Sequence, residues 1–203
     1  MGERVDAHWL RAQQDVAGRA AHEMKNALNG VAVNLEVVRV RAERGGDAAA
    51  IMRFATVAAA QLELLVGQVD ALLGVTRQSA GVADVALVAR QLHALLEHAG
   101  PAESELHLAG ADALAAPTSA DVVLVRLLLA RLFTGLVDQP GQRTVDVRVD
   151  PDGRVAVTAR AARPVELDAE SRELAMAGGV TVSAAGDGAL TLIFPATSVV
   201  PTV

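Results

Sequence analysis

The stretch AAHEMKNALNG, residues 20–30, sets His22, Glu23, Lys25, Asn26 and Asn29 within eight positions of an otherwise apolar helical pattern. An α-helix turns about 100° per residue, so the direction of each side chain can be counted. His22, Asn26, Asn29 and Val33 then stack on one ridge at steps of four, three and four, turned away from the apolar seam that begins at Met24. An exposed imidazole, with an ordinary pKa of about 6.5, is a competent nucleophile at neutral pH. A carboxylate next to it, here Glu23, can orient the ring and accept its proton. Asn26, one turn on, is placed to hold a water or a phosphoryl oxygen.

A long helix must carry that ridge. Between Val5 and Arg44 there is no proline, and the only glycines are Gly18 and Gly30. Met24, Leu28, Val31, Leu35, Val38 and Ala42 recur at steps of four and three, the seam of a coiled coil or bundle helix. Arg44-Gly45-Gly46-Asp47 supplies a stop and a new cap. The pattern restarts through Ile51, Ala55, Ala58, Leu62, Leu65, Val69 and Leu72. So short a link between two such seams forces an antiparallel hairpin. Met52, Ala59, Val66 and Leu73 widen the second stripe beyond what one neighbour covers, which predicts a homodimer of hairpins forming a four-helix bundle.

Past Arg77–Gly81 the pattern changes. Asp84 can cap a helix to about Ala99, a short strand falls around Leu106 and Leu108, and Ser119 or Asp121 caps an apolar helix to about Val137. TVDVRVD, the turn PDGR and RVAVTA form a strand hairpin. The helix DAESRELAMA leads through Gly178-Gly179 to VTVSA, the turn GDG and ALTLIF. The expected fold class is α+β: a helical hairpin over residues 1–80, then a small α/β sandwich over 81–203, its helices against a mostly antiparallel sheet.

Composition narrows the function classes. The net charge of −6, with no basic run, argues against nucleic acid as partner. The apolar run VVLVRLLLARLF is interrupted by Arg126 and Arg131 and is too short to span a membrane. The polar start MGERVDAHWLRAQQD is unlike a secretory signal. A cytoplasmic protein is expected. Zero cysteines exclude disulfides and thiolate metal sites. His8, His93, His98 and His107 follow no metal-ligand spacing, so core or surface roles are expected for them and no metal or bound cofactor is implied.

AHEMKNALNGVAVNLEVVR resembles the H-box of the dimerisation and phosphotransfer domain of sensor histidine kinases, where His-Glu-x-Lys/Arg-Asn/Thr-Pro-Leu marks the phosphoacceptor. His22, Glu23, Lys25, Asn26 and Leu28 match, and Ala27 replaces the usual proline. The resemblance implies that His22 carries a phosphoryl group, that Glu23 assists transfer, and that Glu23 and Asn26 have the spacing many such kinases use to dephosphorylate a partner. The second half departs from the family. In LLLARLFTGLVD, Arg131 and Gly135 stand where two asparagines are expected, the second of which normally holds Mg²⁺. RVAVTARAARPVEL lacks the Asp-x-Gly-x-Gly that grips adenine, and the lid is reduced to the stretch between Thr158 and Gly178. The ending GGVTVSAAGDGALTLIFPA is still similar to the family's closing strands.

A phosphorylatable hairpin beside a degenerate ATP-binding layer is similar to the sporulation and alphaproteobacterial phosphorelay phosphotransferases, which are dimers. The function this implies is phosphotransfer between His22 and the aspartate of a response regulator receiver domain, without ATP-dependent autokinase activity and with Mg²⁺ supplied by the receiver. Lys25, Asn29 and Val33 would line the docking face. The alternatives are a non-catalytic, pseudokinase-like dimer that binds a kinase or response regulator, a kinase with a divergent nucleotide pocket, and a purely structural bundle.

Overall fold

The computed structural model describes residues 2–77, 81–101, 104–111 and 115–197. Helix α1 (Gly2–Glu43) and helix α2 (Ala48–Thr76) form the antiparallel hairpin. Gly45 takes a positive φ of 67° and Gly46 passes against the Arg41 carbonyl, so the link needs both glycines. Asp47 then accepts hydrogen bonds from the Ala49 and Ala50 amides, satisfying two of the first free N–H groups of α2.

The inward seam differs from the sequence reading. On α2 the residues covered by neighbouring helices include Ala58, Gln68, Ala71 and Val75, with Gln61, Leu65 and Leu72 half-buried. Leu62 and Val69, expected inside, face outward beside Val66 and Leu73. On α1, Ala27, Val31, Asn34 and Val38 are half-buried, while Leu28 and Leu35 are half exposed. The physical reason is the width of the apolar stripe. One hairpin neighbour covers only part of it, and small or polar residues (Gly30, Asn34, Gln61) fill the close contact between the helices. Asn34 donates to the Gly30 carbonyl and to Gln61 Oε1, and a Cβ at Gly30 would meet the Gln61 amide at 2.5 Å. By length and composition α2 would also suffice to cross a membrane, a helix the sequence reading did not single out.

Helix α1 is 42 residues and α2 only 29, so the first turns of α1 run past the end of α2. Val5, Trp9, Ala12, Val16 and Ala20 bury against the α/β layer and belong to its core. The packing therefore crosses the expected boundary at residue 80; residues 78–80 themselves lie outside the described residues.

The layer comprises β1 (Ala83–Asp84), α3 (Val85–Leu96), β2 (Leu106–Ala109), β3 (Pro117–Thr118), α4 (Val122–Val137), β4 (Arg143–Val149), β5 (Val155–Arg160), α5 (Ala169–Ala177), β6 (Thr181–Ala184) and β7 (Leu190–Phe194). The main sheet has the order β2-β4-β5-β7-β6, with β2 parallel to β4 and every other pair antiparallel. Val145, Val147, Val155, Val157, Leu190, Leu192 and Phe194 are buried, with half-buried residues between them along each strand, so one sheet face meets the helices. The α+β architecture is as read. Asp84, Asp121 and Asp168 cap their helices, and Asp121 rather than Ser119 starts α4. Helix α3 ends at Leu96, short of Ala99, and the two-residue pair β1–β3 was not anticipated. GDG is a hairpin turn, and Gly178-Gly179 ends α5 with the Val180 amide returned to the Ala175 carbonyl.

Arg143 lies fully buried under this layer. Its Nη1 donates to the Val137 carbonyl at 2.7 Å, at the negative end of α4. Burial pushes its guanidinium below the ordinary value, partly offset by Asp138. A Cβ at Gly100 would stand 2.5 Å from that same nitrogen.

Candidate functional site

The ridge on α1 is exposed where the sequence put it. His22, Asn26, Asn29 and Val33 are all open to solvent, Val33 at 63 %. Lys25 is exposed on one flank and Glu23 is half-buried on the other. Neighbours in sequence on a helix do not face each other, so Glu23 points about 100° away from the imidazole. His22 and Asn26, four apart, do share a face. The side chains of His22, Glu23, Lys25, Asn26 and Asn29 form no hydrogen bond or ion pair with any described residue. The ring is thus uncommitted, with an amide one turn ahead of it and opposite charges on its two flanks.

Below His22 the ridge continues through Arg19, Gly18 and Asp15, all within roughly 60° of the same direction. Here α1 meets α4. Arg19 donates to both carboxylate oxygens of Asp138, at 2.7 and 2.8 Å, and Arg131 pairs with Asp15 at 3.0 Å. The bonds to Asp138 hold Arg19 above its ordinary pKa. Gly18 and Gly135 line the same groove, an open space of about 620 Å³. Arg131, which interrupts the apolar run of α4, meets the carboxylate of Asp15 across the groove. The sequence does not reveal Asp15, Arg19 and Asp138, whose convergence depends on a helix more than 110 positions away.

The two positions read as replacing nucleotide-binding asparagines, Arg131 and Gly135, accordingly border α1. The shortened segment before α5 is packed down, with Val165 and Leu167 buried and the Val165 amide donating to the Gly188 carbonyl. Each of the remaining histidines meets a carboxylate. His8 contacts Glu170 at 2.5 Å, His93 joins the Leu106 carbonyl and Glu97, His98 meets Glu97, and His107 meets Glu105. Among the described residues no group of histidines and carboxylates is arranged to hold a metal ion.

No protein-family profile matches the chain. Nor does any curated protein sequence. The solved structures it resembles include histidine kinases. The blue-light activated histidine kinase of Erythrobacter litoralis aligns with 81% of this chain and 63% of its own length, at 14% identity and a TM-score of 0.46. The histidine kinase domain from the same protein aligns with 93% of this chain and 94% of its own, at 15% identity and a TM-score of 0.45. The histidine kinase AdeS of Acinetobacter baumannii aligns with 87% of this chain and 98% of its own, at 13% identity and a TM-score of 0.43.

Proposed function

We propose that this chain is a histidine phosphotransfer protein, carrying a phosphoryl group on His22 to or from the aspartate of a receiver domain, without making that group from ATP. The observation that carries the reading is the uncommitted, exposed imidazole of His22 in an H-box-like run, on the outer ridge of a long antiparallel hairpin. In transfer from a receiver, the lone pair of a neutral ring nitrogen forms the P–N bond. The P–O bond to the acyl carboxylate breaks, and that carboxylate leaves with the electron pair. The receiver supplies Mg²⁺ from its own acidic pocket. Asn26 holds a phosphoryl oxygen or a water, Lys25 offers positive charge on one flank, and Glu23 acts from the other through the partner or water rather than by direct contact with the ring. Asn29 and Val33 continue the docking face. The chemistry is mostly positioning.

A second copy of the chain covers the outer stripe of the hairpin. Leu28, Leu35, Leu62, Val66 and Leu73 are each about half exposed, and this is the remainder of a stripe too wide for one hairpin. Two arguments stand against autokinase activity: the missing nucleotide motifs, and the position of Arg131 and Gly135 against α1.

The test is labelling of purified wild type and His22→Gln, first with labelled ATP, then with phosphorylated receiver domains. Label from a receiver and none from ATP, lost in the variant, is the expected result. Label from ATP would make the chain a kinase. No label from any source on a folded protein would leave the binding-only regulator.

A further inference from the structure

We infer that the groove between α1 and α4 is the second half of the receiver docking surface, and that it takes a basic side chain of that receiver between Asp15 and Asp138. The inference rests on the phosphotransfer reading of His22.

The ridge bearing His22 runs into the groove without a break. His22 follows Arg19 by three residues, so its backbone lies only about 4.5 Å further along the axis. A stable protein interface covers about 800 Å² on each partner, a patch roughly 28 Å across. A globular domain centred on His22 therefore overlaps the groove. Contact at this end requires that the groove be open and chemically matched, and it is both.

The space of about 620 Å³ is kept open by Gly18 and Gly135, which face it from two different helices. Gly18 is an interior helical position, where glycine is the poorest choice after proline, and Gly135 lies in the last turn of α4. Neither is required by the backbone. A Cβ at Gly18 would touch nothing within 4 Å, and one at Gly135 would meet only the Glu166 carbonyl oxygen at 4.0 Å. Neither glycine is explained by packing within the chain.

The charges have an outward sense. Arg19 and Arg131 are the more covered members of their pairs, with side chains 34% and 25% exposed, against 67% for Asp138 and 56% for Asp15. The guanidiniums hold the carboxylates in place, and the carboxylates face the solvent. Lys25 stands beyond His22 on the same helix. The docking surface is thus polar along its length: Lys25 and Glu23 flank the phosphoryl site, and at the groove the carboxylates stand further into solvent than the arginines paired with them, where a cation fits.

The experiment uses all 203 residues as wild type, His22→Gln, Gly135→Leu, Gly18→Leu and Asp138→Asn. Each is treated with phosphoramidate, whose P–N bond breaks to release ammonia as the new P–N bond forms on His22, and separately with phosphorylated receiver domains; His22→Gln is expected to take no label from either. The leucine variants are expected to fold, since space is available, and to label from phosphoramidate as wild type does. Their labelling from receivers is expected to fall about tenfold. Asp138→Asn should reduce receiver transfer about threefold and weaken its dependence on salt. Receiver transfer unchanged in both leucine variants overturns the groove while leaving the role of His22 standing. A wild type that takes label from no receiver overturns both.

Discussion

Arg19 on α1 and Asp138 at the end of α4 are joined by two parallel N–H···O bonds of 2.7 and 2.8 Å, one helical turn below His22. The bidentate geometry is the strongest form of an ion pair, but Asp138 is two-thirds exposed. A double-mutant cycle with Arg19→Ala and Asp138→Ala is expected to give a coupling of about 0.5–1 kcal/mol, falling with salt. Urea unfolding of the four proteins measures it. Full additivity would mean that the pair positions α4 without stabilising it.

Gly100 is predicted from its contact with Arg143 to tolerate no side chain. An alanine Cβ would lie 2.5 Å from a guanidinium nitrogen that is itself anchored on the Val137 carbonyl. Gly100→Ala is expected to cost about 1–3 kcal/mol, the usual range for overpacking a filled interior. Chemical denaturation reads it directly, and an unchanged midpoint would mean that the buried arginine has freedom to move.

The outer stripe of α2 should respond to charge without loss of fold. Val66 is 54 % exposed in the single chain, so Val66→Lys leaves the hairpin contacts in place. Sedimentation is expected to show the wild type as a dimer and the variant as a monomer, with the same helical circular dichroism. A monomeric wild type would refute the bundle of two hairpins.

Asp168 ties stability to acid pH. Burial raises its pKa, but the Ser171 amide and hydroxyl donate to its carboxylate, and together with the Arg131 charge they leave the group below its ordinary value. The folded protein therefore binds this proton more weakly than the unfolded chain does. The stability it contributes is complete above the unfolded carboxylate value of about 3.9 and is lost as pH falls through the lower folded value. Asp168→Asn keeps a capping oxygen and removes the titration. Its melting temperature should fall less steeply than that of the wild type below about pH 4. Parallel acid limbs would remove Asp168 from the account.

Much of this molecule was legible from spacing. The two long helices, the Asp47 cap, the strand hairpins and the exposure of His22 follow from periods of 3.6 and 2 and from the glycines that interrupt them. The inward seam of the hairpin was misplaced because a broad apolar stripe does not reveal which part its own chain covers. Leu62 and Val69 looked more internal than Gln61 and Gln68, yet the glutamines face inward. Val5, Trp9, Ala12 and Val16 carry a readable four-three-four spacing, the same signal as the later seam, and they pack on the α/β layer. The groove was not legible. Asp15, Arg19, Arg131 and Asp138 are ordinary charged residues until the tertiary fold sets α4 beside α1.

The early turns of α1 also bear on how the chain is made. Their partners come late: Arg4 pairs with Glu173, 169 positions on, and Trp9 joins a core that includes Leu174. During synthesis at about 5–20 residues per second, these side chains wait on the order of ten seconds or more before the elements that cover them emerge. The hairpin can close early from local contacts, while the start of its first helix remains partly uncovered until the α5 segment has been made. The start of α1 thus packs only after α5 is present, and a product cut before Glu173 keeps Val5 and Trp9 without part of the core that buries them.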